Sequence, residues 1–217
     1  MRAMIFGATG LVGSFIYEQL LKDDSFSEVI SVSRRALAAH PKVTHYKAQH
    51  DELEPLKELF DVDVIFFAVG TTIKKAGSKK AFREIDFHYP LKVAKLFKEA
   101  NSKGCFITIT AMGSDPQSAL FYNKTKGELE EALSKLNLWN LIIVRPSLIL
   151  GSREEFRGAE FIGQMFAKLF DPILGRVCPN YAGVDAKKIA SKIIAASKER
   201  EAGARIIQSC EIKAIAI

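Results

Sequence analysis

The sequence is poor in cysteine and has no long apolar run, no low-complexity tract and no internal repeat. Its apolar stretches stay well below the roughly 18 residues that a membrane span needs. Cys105, Cys178 and Cys210 are odd in number, widely spaced and without metal-ligand spacing, which excludes a disulfide framework. The N-terminus lacks the ordered regions of a signal peptide. We therefore expect a cytoplasmic protein without a metal site and without a membrane contact.

The charge of the chain is mixed rather than concentrated. Its 31 basic and 25 acidic residues are dispersed and give a formal net charge of +6, so a weakly basic surface is expected and a nucleic-acid partner is not. A cationic cleft for an anionic cofactor would account for part of the excess. With 217 residues, 48% of them hydrophobic, the chain can bury a substantial core. Because no linker interrupts it, we expect a single domain over residues 1–217.

A glycine-rich turn follows an apolar run at the start of the chain. Residues 3–6 lead into the pattern G-x-x-G-x-x-G, and helical apolar periodicity follows. Strand, glycine turn and helix form the unit that binds a dinucleotide pyrophosphate, because glycine lets the backbone approach phosphate and the helix N-terminus offers unpaired N–H groups. We assign the whole turn to cofactor binding: Gly7, Ala8, Thr9, Gly10, Leu11, Val12 and Gly13.

Strands and helices alternate along the next two thirds of the chain. Apolar patterns predict further strands at 28–33, 43–48, 63–69, 104–110 and 138–144, with a final strand within 205–217. Helical patterns cover 11–22, 52–60, 81–100, a segment ending near 136, and 185–197, and Pro90 is expected to kink the third of these. This alternation predicts an α/β fold with a Rossmann-type, doubly wound parallel sheet.

The second predicted strand ends in Ser33, Arg34 and Arg35. In a doubly wound fold this strand end lies beside the adenosine ribose, where an acid suits NAD and an arginine suits the 2′-phosphate of NADP. No acid stands here, so we predict NADP(H), with NAD as the weaker ligand. After the third strand, His50 or Asp51 can reach the adenine, although Asp51 is equally well placed to cap the next helix.

The central strand ends in small residues where the cofactor's phosphates and nicotinamide ribose are expected to pass. This stretch comprises Ala68, Val69, Gly70, Thr71 and Thr72. Five basic residues come next, at positions 74, 75, 79, 80 and 83. They form either a solvated loop or a positive flap over an anionic ligand, and the sequence leaves both open.

Thr110, Tyr122 and Lys126 form the candidate catalytic set. Tyr122 and Lys126 are four residues apart at the start of a predicted helix, so they lie on one face. A neighbouring ammonium lowers the pKa of a tyrosine, which lets the phenol exchange a proton with a substrate hydroxyl or carbonyl. Thr110 ends a strand twelve residues earlier, from which its hydroxyl can hold the same oxygen.

In order and spacing, these motifs resemble the short-chain dehydrogenase/reductase superfamily in its atypical or extended branch. The closer resemblance is to the HIV Tat-interactive protein-like oxidoreductases. The motifs that carry it are Gly7-Ala-Thr-Gly10-Leu-Val-Gly13, Ser33-Arg34-Arg35, Val69-Gly70-Thr71-Thr72, Lys75-Ala-Gly77, Asp86, Tyr122 with Lys126-Gly-Glu, and Val144-Arg145-Pro146.

The resemblance implies a Rossmann fold, NADP(H) binding and a Ser/Thr-Tyr-Lys active site. Thr110 takes the position of the family's serine, with Ser114 as a substitute. Tyr122 and Lys126 would also contact the cofactor, Lys126 through the nicotinamide ribose.

Two further segments receive roles from the same resemblance. Pro146 and Leu148 would lie beside the nicotinamide, and residues 151–183 would form a small segment that covers the substrate. An apolar stripe within 161–170 suits core or subunit contact, so a homodimer stays open.

The function expected from these features is NADP-dependent transfer of hydride to or from a small carbonyl or alcohol, with Tyr122 as proton donor or acceptor. The partner is then a small-molecule substrate. One alternative is a regulatory binding module that senses NADPH with little turnover. A second is sugar-nucleotide epimerase or dehydratase chemistry, which uses the same triad and cofactor.

Overall fold

The computed structural model describes residues 1–101, 103–151 and 183–214, and a seven-stranded parallel sheet forms its centre. The strands are β1 (Arg2–Phe6), β2 (Glu28–Ser33), β3 (Val43–Lys47), β4 (Val64–Phe67), β5 (Cys105–Ile109), β6 (Asn140–Arg145), the short pair β7 (Ile149–Leu150) and β8 (Val184–Asp185), and β9 (Gly203–Gln208). The sheet order is β3-β2-β1-β4-β5-β6-β9, and all six neighbouring pairs are parallel. The predicted doubly wound Rossmann fold is confirmed.

Helices cover both faces of this sheet. They are α1 (Leu11–Lys22), a 3₁₀ helix (Glu54–Phe60), α2 (Ile73–Ala76), α3 (Lys79–Arg83), a π-helical segment (Glu84–His88), α4 (Tyr89–Ala100), α5 (Phe121–Lys135), α6 (Ala186–Lys198) and α7 (Ser209–Lys213). One apolar cluster joins the sheet to α1 and α6. A second joins it to the 3₁₀ helix, α4 and α5. Because both faces are covered, every side chain of β4 is buried.

The helix predicted over 81–100 differs most from its prediction. It begins at Lys79 and contains the π segment, in which the N–H of Tyr89 donates to the carbonyl of Glu84, five residues back. Pro90 follows directly and has no N–H to give to the carbonyl of Asp86, so the regular α-helical bonding cannot continue there. The expected disturbance at the proline therefore takes the form of a wider helical turn.

Two predicted helix starts have different outcomes. The helix predicted from residue 52 is the 3₁₀ helix with Leu53 as its N-cap, so Asp51 does not cap it. Asp185 does cap α6, because its carboxylate accepts from the N–H of Lys187 at 2.7 Å.

Two segments that received predictions lie outside the residues that the structure describes. Positions 152–182 of the predicted covering segment, with the apolar stripe inside them, lie outside the described residues, as do positions 215–217 of the predicted C-terminal tail. Within the described ranges, no helix has the length and apolarity that crossing a membrane requires.

Candidate functional site

A cleft of about 550 Å³ lies at the carboxyl ends of the central strands. The strand order reverses between β1 and β4, and open α/β sheets bind ligands at such a switch point. The cleft brings ten of the predicted cofactor residues together: Gly7, Thr9, Gly10, Leu11, Ser33, Arg34, Arg35, Ala68, Val69 and Gly70. The glycine turn, the arginine pair and the end of the central strand therefore share one cavity.

The glycine turn depends on the absence of side chains. Gly7 has a φ of +87°, and a Cβ at this position would stand 2.7 Å from the backbone carbon and oxygen of Ala68. The N–H of Gly10 donates to the carbonyl of Gly7 at 2.8 Å, and Gly10 is the N-cap of α1. Having no side chain, Gly10 leaves the first N–H groups of the helix accessible from the cleft, which is the arrangement that binds phosphate.

The remaining turn residues point into the protein. Ala8 and Val12 are 3% and 6% exposed and pack in the apolar cluster beneath α1. A Cβ on Gly13 would lie 2.0 Å from the carbonyl oxygen of Gly7, so this glycine serves the packing of helix against turn. Ala8, Val12 and Gly13 are absent from the described wall of the cleft, and their predicted contact with the cofactor stays a prediction.

Thr71 and Thr72 also do not line the cleft as the described residues form it. The N–H of Thr71 donates to Asp86 at 3.0 Å, and the hydroxyl of Thr72 caps α2 by accepting from the N–H of Lys75 at 3.2 Å. Both threonines hold the loop after β4 in place.

The described wall of the cleft contains eight residues beyond the ten predicted ones, of which only His50 and Lys75 had been considered as ligand contacts: Val32, Ala48, Gln49, His50, Lys75, Ile85, Tyr89 and Gly151. Of the two residues considered for adenine, His50 lines the cleft and its ring contacts Tyr89 at a centroid distance of 6.0 Å. Burial raises the pKa of Tyr89, and the nearby charge of Arg34 opposes this shift. A polar residue just after β3 was the available signal for His50; nothing in the local sequence indicated Tyr89.

A buried ion pair lies beside the Gly70 end of the cleft. The Nζ of Lys126 is 2.7 Å from Oδ1 of Asp86, and the two side chains are 5% and 1% exposed. The other carboxylate oxygen accepts from the N–H of Thr71. A Cβ on Gly70 would stand 3.5 Å from the same carboxylate. Asp86 thus joins Lys126 to the loop that forms the wall of the cleft.

The pKa of Tyr122 shifts in the direction opposite to the expected one, mainly because the phenol is buried. Burial raises the pKa of Tyr122, Lys126 lowers it, and Asp86 raises it again, with a net increase. Burial lowers the pKa of Lys126, but Asp86, Tyr122 and Glu130 together raise it above its usual value. The expectation of a lowered tyrosine pKa was wrong because burial raises the pKa by more than the ammonium of Lys126 lowers it, and the carboxylate of Asp86 adds to the increase.

The hydroxyl of Thr110 is directed to a carboxylate rather than to the cleft. Its Oγ1 donates to Glu130 at 2.5 Å, and Thr110 is 5% exposed. Glu130 also accepts from Nε of Arg145 at 3.1 Å and forms an ion pair with the same guanidinium. The substitute hydroxyl, on Ser114, donates to the carbonyl of Ala111 at 2.7 Å. Both hydroxyls thus donate within the protein, and the predicted contact of Thr110, or of Ser114, with a substrate oxygen stays a prediction.

The turn after β6 is tied into the fold through its carbonyls. Pro146 accepts from the N–H of Met112 at 2.9 Å, and Leu148 accepts from the N–H of Val184 at 2.8 Å. Like Tyr122 and Lys126, these two residues are absent from the described wall of the cleft. Their predicted contact with the nicotinamide stays a prediction.

Comparison with known sequences gives a family match and several similar proteins. The sequence model of the HIM1 family matches residues 23–169. The chain is 31% identical over 220 residues to "Protein FMP52, mitochondrial" of Eremothecium gossypii, covering 98% of this chain and 96% of that protein. It is 32% identical over 167 residues to "Protein HTATIP2" of Rattus norvegicus, covering 75% and 68%.

Solved structures match over nearly the whole chain. The enzyme WbmG of Bordetella bronchiseptica, in complex with NAD, has a TM-score of 0.70 at 14% identity, with 96% of this chain and 72% of that chain covered. A short chain dehydrogenase family protein from Francisella tularensis has a TM-score of 0.70 at 13% identity, with 98% of both chains covered. At these identities the matches support the fold.

The names of the relatives correct the expected location. Seven fungal relatives carry names that include "mitochondrial". The cytoplasmic assignment was therefore wrong. It rested on sparse, unpaired cysteines, which exclude an oxidising compartment but do not distinguish between compartments that keep thiols reduced.

Proposed function

The chain belongs to the HIM1 family, and from this premise we propose that it is an NADP(H)-dependent oxidoreductase. The predicted resemblance to the Tat-interactive protein-like branch of the short-chain dehydrogenases/reductases is confirmed by the HTATIP2 relative and by the fold. The proposed reaction is hydride transfer to a small carbonyl compound or from the matching alcohol. The names of the fungal relatives support a mitochondrial location.

One observation carries the proposal: the glycine turn and two arginines line one cleft, and the buried ion pair of Lys126 and Asp86 lies beside its Gly70 end. The turn fits a pyrophosphate, since Gly10 lines the cleft as the N-cap of α1 and has no side chain to cover the N-terminus of that helix. The cleft volume of about 550 Å³ suits an extended nucleotide. A bound nicotinamide supplies the hydride chemistry, and the protein supplies placement and proton handling.

Tyr122 is the proposed proton donor. Its raised pKa keeps the phenol protonated at neutral pH, which suits donation to a carbonyl oxygen that gains negative charge. Lys126, fixed by Asp86, keeps a positive charge close to the phenol and stabilises the phenolate left after donation. This arrangement supports the reductive direction.

Arg34 and Arg35 are the proposed basis for preferring NADP(H). Both line the cleft after β2, both are exposed, and Ser33 stands before them where an acid would favour NAD. A guanidinium forms charge-assisted, bidentate bonds to phosphate. The hydroxyl of Ser33 donates to the carbonyl of Arg35 at 2.7 Å, which holds the backbone of this turn.

Dinucleotide titration and turnover test the proposal separately. NADPH and NADH binding would be followed by nicotinamide fluorescence in wild type and in Arg34→Ala/Arg35→Ala. We expect the double variant to weaken NADPH but not NADH. Oxidation of NADPH with a panel of small carbonyl compounds should then depend on Tyr122. Equal turnover by Tyr122→Phe, or an unchanged preference in the arginine variant, would contradict the assignment.

A cofactor-dependent regulator is the second candidate, and the position of Thr110 favours it. The hydroxyl that would hold the substrate oxygen is engaged by Glu130. A protein that senses NADPH needs the cleft but not that hydroxyl. Tight NADPH binding without turnover of any carbonyl in the panel would favour this role.

A further inference from the structure

We propose that Lys75 binds the pyrophosphate of the dinucleotide, a role that rests on the cofactor binding proposed above. Lys75 lines the same cleft as Gly7, Gly10, Arg34 and Arg35. It therefore adds a third cation to the wall of that cleft, on a loop separate from the arginine pair. The glycine turn offers only the partial charges of backbone N–H groups to a phosphate. Lys75 would add a full unit charge.

The loop that carries Lys75 is fixed before any ligand binds. The hydroxyl of Thr72 accepts from the N–H of Lys75, which caps α2, and Gly77 ends this single turn with a φ of +83°. One residue before the cap, Thr71 donates to the buried carboxylate of Asp86. Both ends of the turn are thus held, and little ordering cost remains for a bound phosphate.

The sheet order indicates which phosphate Lys75 meets. β4, which leads into the Lys75 loop, lies directly beside β1, which leads into the glycine turn. The two loops touch, because a Cβ on Gly7 would be 2.7 Å from the backbone of Ala68. Arg34 and Arg35 follow β2, on the far side of β1. Lys75 therefore contacts the pyrophosphate, and the two arginines contact the 2′-phosphate.

The four basic residues near Lys75 in the chain are absent from the described wall of the cleft. The Nζ of Lys79 lies over the ring of Phe121 at 5.1 Å from its centroid. Arg83 forms an ion pair with Glu128. Lys74 and Lys80 are exposed and do not line the cleft as the described residues form it. Of the five residues in this basic cluster, Lys75 is the one that lines the cleft as the described residues form it.

Titration of Lys75→Ala, Lys75→Arg and Lys74→Ala with NADPH and NADH tests this inference, with nicotinamide fluorescence as the readout. We expect Lys75→Ala to weaken both dinucleotides by about tenfold, the usual effect of losing one charge-assisted bond. Both carry the pyrophosphate, so the two losses should be equal. Lys75→Arg should keep most of the affinity, and the matched control Lys74→Ala should bind like wild type.

Two results would overturn the assignment. If Lys75→Ala binds both dinucleotides as tightly as Lys74→Ala, Lys75 does not contact the cofactor. If only NADPH is weakened, Lys75 meets the 2′-phosphate instead. Failure of the wild-type protein to bind either dinucleotide is a different result, because it refutes the proposed function itself.

Discussion

Replacing Asp86 by Asn should destabilise the protein strongly, because it leaves the ammonium of Lys126 buried without a counter-charge. The two side chains are 1% and 5% exposed, so solvent can compensate little of the loss. Breaking one partner of a buried ion pair costs about 3–5 kcal/mol. Domains of this kind have a total stability of roughly 5–15 kcal/mol. The variant should therefore lose a large fraction of its free energy of unfolding.

Urea unfolding followed by the fluorescence of Trp139 would measure the loss. The double variant Asp86→Asn/Lys126→Met should regain most of it, because replacing both partners removes the unpaired charge. Glu131→Gln is the matched control: its ion pair with Lys135 is 49% and 72% exposed and should contribute less than about 1 kcal/mol. A cost for Asp86→Asn no larger than that of Glu131→Gln would refute the reasoning.

The pH dependence of the same variant gives a second check. Burial lowers the pKa of an unpaired lysine, so folded Asp86→Asn binds fewer protons than its unfolded chain. Stability rises with pH wherever the unfolded state binds more protons, and the deficit should shrink as the pH is raised.

Three further predictions concern the cleft and the proton site. Gly7 and Gly77 both have a positive φ, but a Cβ would contact the backbone of Ala68 only at Gly7. Gly77→Ala should therefore lower the free energy of unfolding by about 1–2 kcal/mol. Gly7→Ala should lower it further and abolish NADPH binding, which urea unfolding and dinucleotide titration would measure. Because burial raises the pKa of Tyr122, the kcat/KM for reduction should stay level through neutral pH and fall only above about 10; a midpoint near 7 would contradict this. Thr110→Val should keep kcat/KM within about tenfold of wild type, because the hydroxyl of Thr110 donates to Glu130. Removing a hydroxyl that stabilises the substrate oxygen would lower kcat/KM by about 100-fold or more, and a loss of that size would show that Thr110 is catalytic.

The sheet and the cleft could be predicted because their determinants are local. Apolar strand runs, the glycines after β1 and the arginines after β2 each lie within a few residues of the element they specify. The doubly wound topology then brings these segments to one edge. The order of strands and helices along the chain was therefore enough to predict that the glycine turn and the arginine pair line the same cavity.

The proton site could be predicted only in part, because its charges come from separate elements. Asp86 lies 40 positions before Lys126, and their pairing depends on how the π segment packs against α5. That contact places the carboxylate of Asp86 near Tyr122, where it adds to the increase in the tyrosine pKa that burial causes. Thr110 directly follows the last residue of β5, but this position does not reveal whether its hydroxyl faces the cleft or Glu130 on α5.

The π segment also changes how the two ends of its helix are aligned. Phe82 and Tyr89 are seven residues apart, which would place them on the same side of a regular α-helix. Here Phe82 meets Phe121 and Tyr122 at the start of α5, whereas Tyr89 meets Phe6 and Phe67 of the sheet. One extra residue in the turn thus rotates the two halves relative to each other. One continuous helix can therefore pack Tyr89 against the sheet with its second half and Phe82 against Tyr122 with its first half.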